Sequence, residues 1–172
     1  MTDLDDFRAN KDEFFGHDGN SPLTPEQQAT FHGLRYYTEA PALVFRLQPE
    51  VFPEPEYVEM QTSTGHTAMY VRWALVRFEV DGGPAALTVY RDPTMNDLFL
   101  PFQDANAGSE TYGAGRYLEP HILDDGRLLI DFNYAYNPYC AYSDRWSCPL
   151  PPPENHLDVA IEAGEMTWGD GH

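Results

Sequence analysis

The amino-acid sequence predicts a mainly β fold, an antiparallel β-barrel or sandwich, with α+β character only at the N-terminus, where two short helices precede the strands. Three observations carry this reading. Helical periodicity is confined to the first 34 residues; beyond Leu43 about eight short runs alternate apolar and polar residues with period two; and Asp81-Gly82-Gly83 and Asp125-Gly126 are hairpin signals between such runs.

Residues 3–15 bring Leu4, Phe7, Lys11, Phe14 and Phe15 to one side of a 3.6-residue repeat, which describes an amphipathic helix. The stretch from Gly16 to Pro22 breaks it. Thr24-Pro25-Glu26-Gln27 then combines an N-cap threonine, a first-turn proline and a glutamine at capping-box spacing, predicting a second helix from Pro25 to about Phe31 that stops at Gly33. Leu43, Phe45 and Leu47 alternate as the first strand, Pro49, Pro53 and Pro55 punctuate, and Tyr57 to Thr62 reads as the second. Over residues 67–80 the phase changes: Met69, Val71, Trp73 and Leu75 share one parity and Val76, Phe78 and Val80 the other, which a bulge near Leu75-Val76 would reconcile. Strands at 85–91 and 98–102 follow. If Asp125-Gly126 are the central residues of a two-residue turn, Asp124 faces Arg127, Leu123 faces Leu128 and His121 faces Ile130. Last, Leu157, Val159, Ile161 and Ala163 alternate with Asp158, Ala160 and Glu162, which predicts a half-buried strand ending at Gly164.

A length of 172 residues suits one domain, residues 1–172, with segment 1–34 packed on the β body and 98–157 as the site region. With 42% hydrophobic and 14% aromatic residues the chain can build a core despite a formal charge of −18. Twenty-eight carboxylates face nine arginines and one lysine, Lys11. Lysine loss along the whole chain points to a surface adapted to a salt-rich cytoplasm, where screening removes its self-repulsion. Such a chain is no partner for a phosphate backbone, so nucleic acid is not expected. No apolar run approaches the ~20 residues of a membrane span, and the acidic N-terminus is unlike a secretory signal, so no membrane partner and a cytoplasmic location are expected.

Candidate chemistry concentrates between Leu98 and Leu157. Gly113-Ala114-Gly115-Arg116 either presents backbone N–H groups and a guanidinium to an anion or is a plain turn before a strand. Glu110, Glu119, Asp131 and Glu154 supply carboxylates for acid–base work. Asn133, Asn137 and Asn155 either tie down loop backbone or face a polar ligand, and Tyr112, Tyr117, Tyr134, Tyr136, Tyr139 and Tyr142 would wall such a pocket. The ligand-binding candidates are thus Arg116, Tyr117, Asp131, Asn133, Tyr136, Asn137, Glu154 and Asn155. Cys140, Cys148 and His156 recur as C-x₇-C-x₇-H, which is not zinc-finger spacing; the cysteines are read as a close structural pair, and neither a metal nor a cofactor is expected. Nucleophile-elbow, Walker, dinucleotide and H-E-x-x-H motifs are all missing.

The runs Asp6-Phe7-Arg8, Lys11-Asp12-Glu13-Phe14-Phe15, Ser21-Pro22-Leu23, Phe31-His32-Gly33-Leu34, Glu110 to Tyr117, Asp131 to Pro138, Cys148 to Pro152 and Glu154-Asn155 resemble the archaeal and bacterial family catalogued as domain of unknown function 1684, over nearly the whole chain. The resemblance implies no established activity, substrate or cofactor. In that family arginine more often stands where this chain has His156, which weighs against zinc, because a ligand is not exchangeable for a cation. The functional expectation is a small polar or anionic ligand-binding β domain, catalytic or not; the alternative is a non-enzymatic interaction module displaying an ordered Pro/Tyr-rich loop. Oligomeric state is not legible. The charge balance predicts a melting temperature that rises from dilute buffer toward molar salt, where the Debye length falls to ~3 Å; a flat or falling curve in a thermal-denaturation series would contradict the halophilic reading.

Overall fold

The computed structural model describes residues 2–143 and 145–168. Helix α1 runs Asp3–His17, two residues past the periodic stretch, and α2 runs Pro25–Ala29. Thr24 and Gln27 form the expected capping box on α2, each side chain accepting from the other's backbone N–H. The helix ends sooner than the sequence suggests: Thr30, not Gly33, is its C-cap. An unforeseen capping box, Thr2 with Asp5, starts α1. Leu4 and Phe15 are buried on its inner face, and Phe15 packs edge-on against Tyr139 and Tyr142, fastening the helix to the β body.

Eight strands follow: β1 Val44–Leu47, β2 Glu50–Gln61, β3 Thr67–Val80, β4 Gly83–Arg91, β5 Leu98–Phe102, β6 Arg116–Leu118, β7 His121–Ile122 and β8 Leu128–Asp131. They form a five-stranded sheet, β2-β3-β4-β5-β6, and a three-stranded sheet, β1-β8-β7, every pair antiparallel. The sheets do not close into a barrel; they share one core, as in a sandwich. Phe132 is its centre, with ring centroids 6.0 Å from Phe45, 5.6 Å from Phe78 and 5.3 Å from Phe102, so one residue touches side chains from β1, β3 and β5.

Several details differ from the sequence reading, each for a local reason. Strand β2 begins at Glu50, running through Pro53 and Pro55 instead of starting at Tyr57. Register to β3 jumps between Val51 and Glu56, so both prolines sit in an excursion of an edge strand where no ladder N–H is needed. The bulge in β3 is at Trp73, between Arg72 opposite Tyr90 and Ala74 opposite Val89, two residues before the expected place. It turns Ala74, Val76, Phe78 and Val80 inward together and leaves Met69 46% exposed. Asp81 and Gly82, at φ 51° and 81°, make the two-residue β3–β4 turn.

At Asp125-Gly126 the hairpin forms one residue out of register: His121 faces Leu129 and Ile122 faces Leu128. The loop has three residues, because Leu123 accepts from Gly126 N–H and donates to Arg127, while the Asp125 carboxylate accepts from the Arg127 N–H and guanidinium. Gly126, at φ 88°, takes the left-handed position that closes such a loop. The strand expected at 157–163 is not one. Asn155, Leu157 and Val159 pair backbone to backbone with Gln103 and Ala105 in parallel sense; beyond them come a local bond from the Ala163 N–H to the Ile161 carbonyl, isolated ones from Tyr37 to Gly164 and from Glu165 to Ala135, and side-chain donations.

Two glycines test this packing. A Cβ on Gly164, at φ 81°, would lie 2.7 Å from the Ala135 carbonyl and 2.8 Å from that of Phe132, whereas one on Gly126 meets nothing. Gly164→Ala is expected to cost about 2–5 kcal/mol, strain plus overpacking, and Gly126→Ala about 1 kcal/mol, both from denaturant unfolding; equal costs would refute the packing.

Candidate functional site

The segment holding most of the sequence-predicted residues packs inward: Pro138, Cys140, Ala141, Tyr142, Cys148, Pro151 and Asn155 are buried. The site candidates do not converge on one concavity. Most are fasteners.

Arg116, on β6, is 1% exposed. Its Nη1 donates to the carbonyls of Ala163 (2.5 Å) and Glu165 (3.0 Å), its Nη2 to that of Ile161 (2.9 Å), and Asp104 lies 3.7 Å away. Burial draws the guanidinium pKa down, and the Asp104 carboxylate opposes that. Asp104 in turn accepts from Thr111 Oγ1 and the Ile161 N–H. The preceding glycine turn is held from outside, with Gly113 accepting from the Gln103 amide and Gly115 so close to Phe102 and Pro151 that a Cβ would fall 2.6 Å from the Phe102 carbonyl. Backbone carbonyls and the Asp104 carboxylate occupy this guanidinium, which leaves it no open face toward solvent.

Asn155, fully buried, accepts from the Thr88 N–H and donates to the Thr88 and Pro101 carbonyls, bridging β4 and β5. Asn133 bonds the Ala40 N–H and carbonyl. Asn137 donates its side-chain amide to the Met166 carbonyl and its backbone N–H to the Glu165 carboxylate. Glu154 takes three contacts from the Arg72 guanidinium and a hydroxyl donation from Tyr90; desolvation opposes ionisation, but these donors hold its pKa below the usual carboxylate value. Tyr117 donates to the Pro149 carbonyl, and burial above all raises its phenol. His156 Nε2 sits 3.1 Å from the Pro151 carbonyl.

One lysine survives in the chain, and it is used inside. Lys11 pairs with Glu165, which is 1% exposed and also accepts from Tyr142 at 2.6 Å; the ammonium lies 5.0 Å from the Tyr136 ring centroid. The pair joins α1 to the C-terminal segment.

Asp131 and Tyr136 belong to a different place. Strand β6 ends the five-stranded sheet, and three residues later β7 enters the other sheet; Glu119-Pro120 is the crossing, where proline has no N–H to extend a ladder. A hollow of about 340 Å³ opens there, lined by Leu118, Glu119, Pro120, His121, Leu129, Ile130, Asp131 and Tyr134. Across Glu119-Pro120-His121 lies a second of similar volume, bordered by Tyr70, Asp92, Asp97, Leu98 and Phe99. Tyr136 donates to Glu119 Oε1 at 2.5 Å, and burial together with that carboxylate raises its phenol well above the ordinary value, so it remains the donor. Asp131 uses Oδ1 to accept from the Asn133 N–H and amide. Phe7 of α1 packs edge-on against Tyr134, centroids 5.0 Å apart. Glu119 was named among the carboxylates, but His121 and the apolar floor were missed; the signal available was a Glu-Pro pair between two strands.

A family model described as "Protein of unknown function (DUF1684)" matches residues 29–166. The chain belongs to this family. Among solved structures, an uncharacterized protein of Haloarcula marismortui, determined in solution by NMR, is 40% identical with a TM-score of 0.71, covering 95% of this chain and 92% of its own. No curated protein matches. Among the described residues of this DUF1684 protein no helix is long and apolar enough to cross a membrane, and no three His, Cys, Asp or Glu side chains gather as a metal set.

The Lys11–Glu165 pair yields a prediction. Lys11→Met strands a buried carboxylate and should cost about 3–5 kcal/mol, and adding Glu165→Gln, which keeps the acceptor for Tyr142 but not the charge, should return part of that loss. Additive losses in denaturant unfolding would show that the two charges do not act as a pair.

Proposed function

We propose that this protein is a small-molecule-binding β domain whose ligand enters the hollow at Glu119-Pro120-His121 and is a polar molecule carrying positive charge on an apolar body. The observation that supports this is the composition of the wall: Leu118, Pro120, Leu129, Ile130 and Tyr134 form an apolar and aromatic surface, and the charged side chains upon it are Glu119 and Asp131, with no arginine or lysine. A volume of about 340 Å³ suits a small ligand. Of the polar and anionic ligands expected from sequence, the electrostatics favour the first, since Arg116 spends its donors on backbone carbonyls. An interaction surface of Pro and Tyr finds less support, because that loop is packed inward. The acidic surface, and a relative at 40% identity from a halophile, support adaptation to a salt-rich cytoplasm as part of the same proposal.

A melting-temperature screen of purified protein in high salt against small amines and matched carboxylates tests the reading. An amine at a hundredfold excess over its Kd stabilises by about 2.7 kcal/mol, roughly 5–10 °C at this chain size. Glu119→Gln and Asp131→Asn, which keep the acceptors used by Tyr136 and Asn133, should abolish the amine response; stabilisation by carboxylates alone, or responses indifferent to both substitutions, would overturn the proposal.

A further inference from the structure

Cys140 and Cys148 lie outside the hollow, and nothing above uses their sulfur chemistry. Both are buried, at 5% and 8% exposure, in an apolar cluster with Tyr117 against which Tyr112, Tyr139 and Trp146 pack. Cys140 sits in the single turn Tyr139–Ala141, and Cys148 is clamped by Ser63, whose hydroxyl accepts from its N–H (3.1 Å) and whose N–H donates to its carbonyl (2.9 Å). Both are free thiols packed in this one cluster, and their side chains are joined by a hydrogen bond, not a covalent one. The contact is polarised: the Cys148 thiol donates to the Cys140 sulfur, and the Tyr112 hydroxyl lies 3.6 Å from the same atom. These donors hold the Cys140 thiol below its ordinary value against the effect of burial, whereas the bond to Cys140 and then burial push Cys148 up. The two thiols are therefore chemically unequal although they are neighbours.

We propose that Cys140 and Cys148 form a peroxide-reactive dithiol in which Cys140 is the nucleophile and Cys148 the resolving thiol. The Cys140 thiolate attacks one oxygen of hydrogen peroxide; the O–O bond breaks, and the departing hydroxide takes up a proton to leave as water. Cys140 is thereby oxidised to a sulfenic acid and the peroxide reduced. The Cys148 sulfur then attacks the Cys140 sulfur, the S–O bond breaks, and the hydroxyl leaves as water with the Cys148 proton. One peroxide and two thiols give one disulfide and two waters. Contact between the sulfurs makes the second step local, and their burial selects a small oxidant over a bulky disulfide.

The test is mass spectrometry of the full chain after hydrogen peroxide, with dimedone to trap sulfenic acid. Wild type should lose two hydrogens by forming the Cys140–Cys148 disulfide, without a dimedone adduct. Cys148→Ser should accumulate the adduct on Cys140, and Cys140→Ser should show at least tenfold less adduct on Cys148. A pair that stays reduced while the buried Met60 oxidises, or equal adducts in the two variants, would overturn the proposal. The two serine variants are near-isosteric, and circular dichroism before oxidation verifies that each is folded.

Discussion

A buried guanidinium holds the last part of this fold in place. The segment after Leu157 alternates like a strand yet has no strand beside it past Ala105; the Ala163 N–H reaches the Ile161 carbonyl locally, and Arg35, Tyr37 and Ala135 bond residues 164–166, but the Ala163 and Glu165 carbonyls still need another donor. Arg116 supplies three donations from one planar group, which suits carbonyls arrayed along an extended chain better than a single ammonium would. Asp104 offsets the buried charge and also receives the Ile161 N–H, so donor and acceptor needs of the segment are met together. An uncompensated buried carbonyl costs about 1–3 kcal/mol, so the two at Ala163 and Glu165, which have no backbone donor, amount to a sizeable part of a domain's net stability.

The same economy recurs elsewhere. Asn155 bridges β4 and β5, Asn133 secures Ala40, Asn137 secures Met166, and Lys11 with Glu165 joins the N-terminal helix to the C-terminal segment. Two short sheets leave many backbone groups outside ladders, and buried side-chain amides and charges satisfy them. The surface can then be given over to carboxylates, since the cations that matter for folding are inside. The hollow at Glu119-Pro120 follows from the architecture as well: the chain must cross from one sheet to the other there, and two sheets cannot pack continuously around a crossing.

Much of the architecture could be read from sequence because its causes are local. The capping box at Thr24, the left-handed turn at Asp81-Gly82 and the phase change in β3 depend on neighbours a few residues away. What failed did so for two different reasons. Whether Asp125-Gly126 closes a two- or three-residue loop was decided by the Asp125 carboxylate reaching Arg127, and alternation at 157–163 reports burial, not a ladder partner. For the site, the sequence left Asn133, Asn137 and Asn155 either tying down backbone or facing a ligand and could not distinguish the two, and Glu119 came to the hollow through topology rather than through any motif.

Hydrogen exchange on Arg116→Lys tests the central claim most directly. Lysine keeps the charge but not the three-way reach, so the Ile161, Ala163 and Glu165 amides should lose protection by at least tenfold while those of β3 and β4 keep theirs. Wild-type protection across residues 157–166 in that variant would contradict the account, because the segment would then be held by something other than the buried guanidinium.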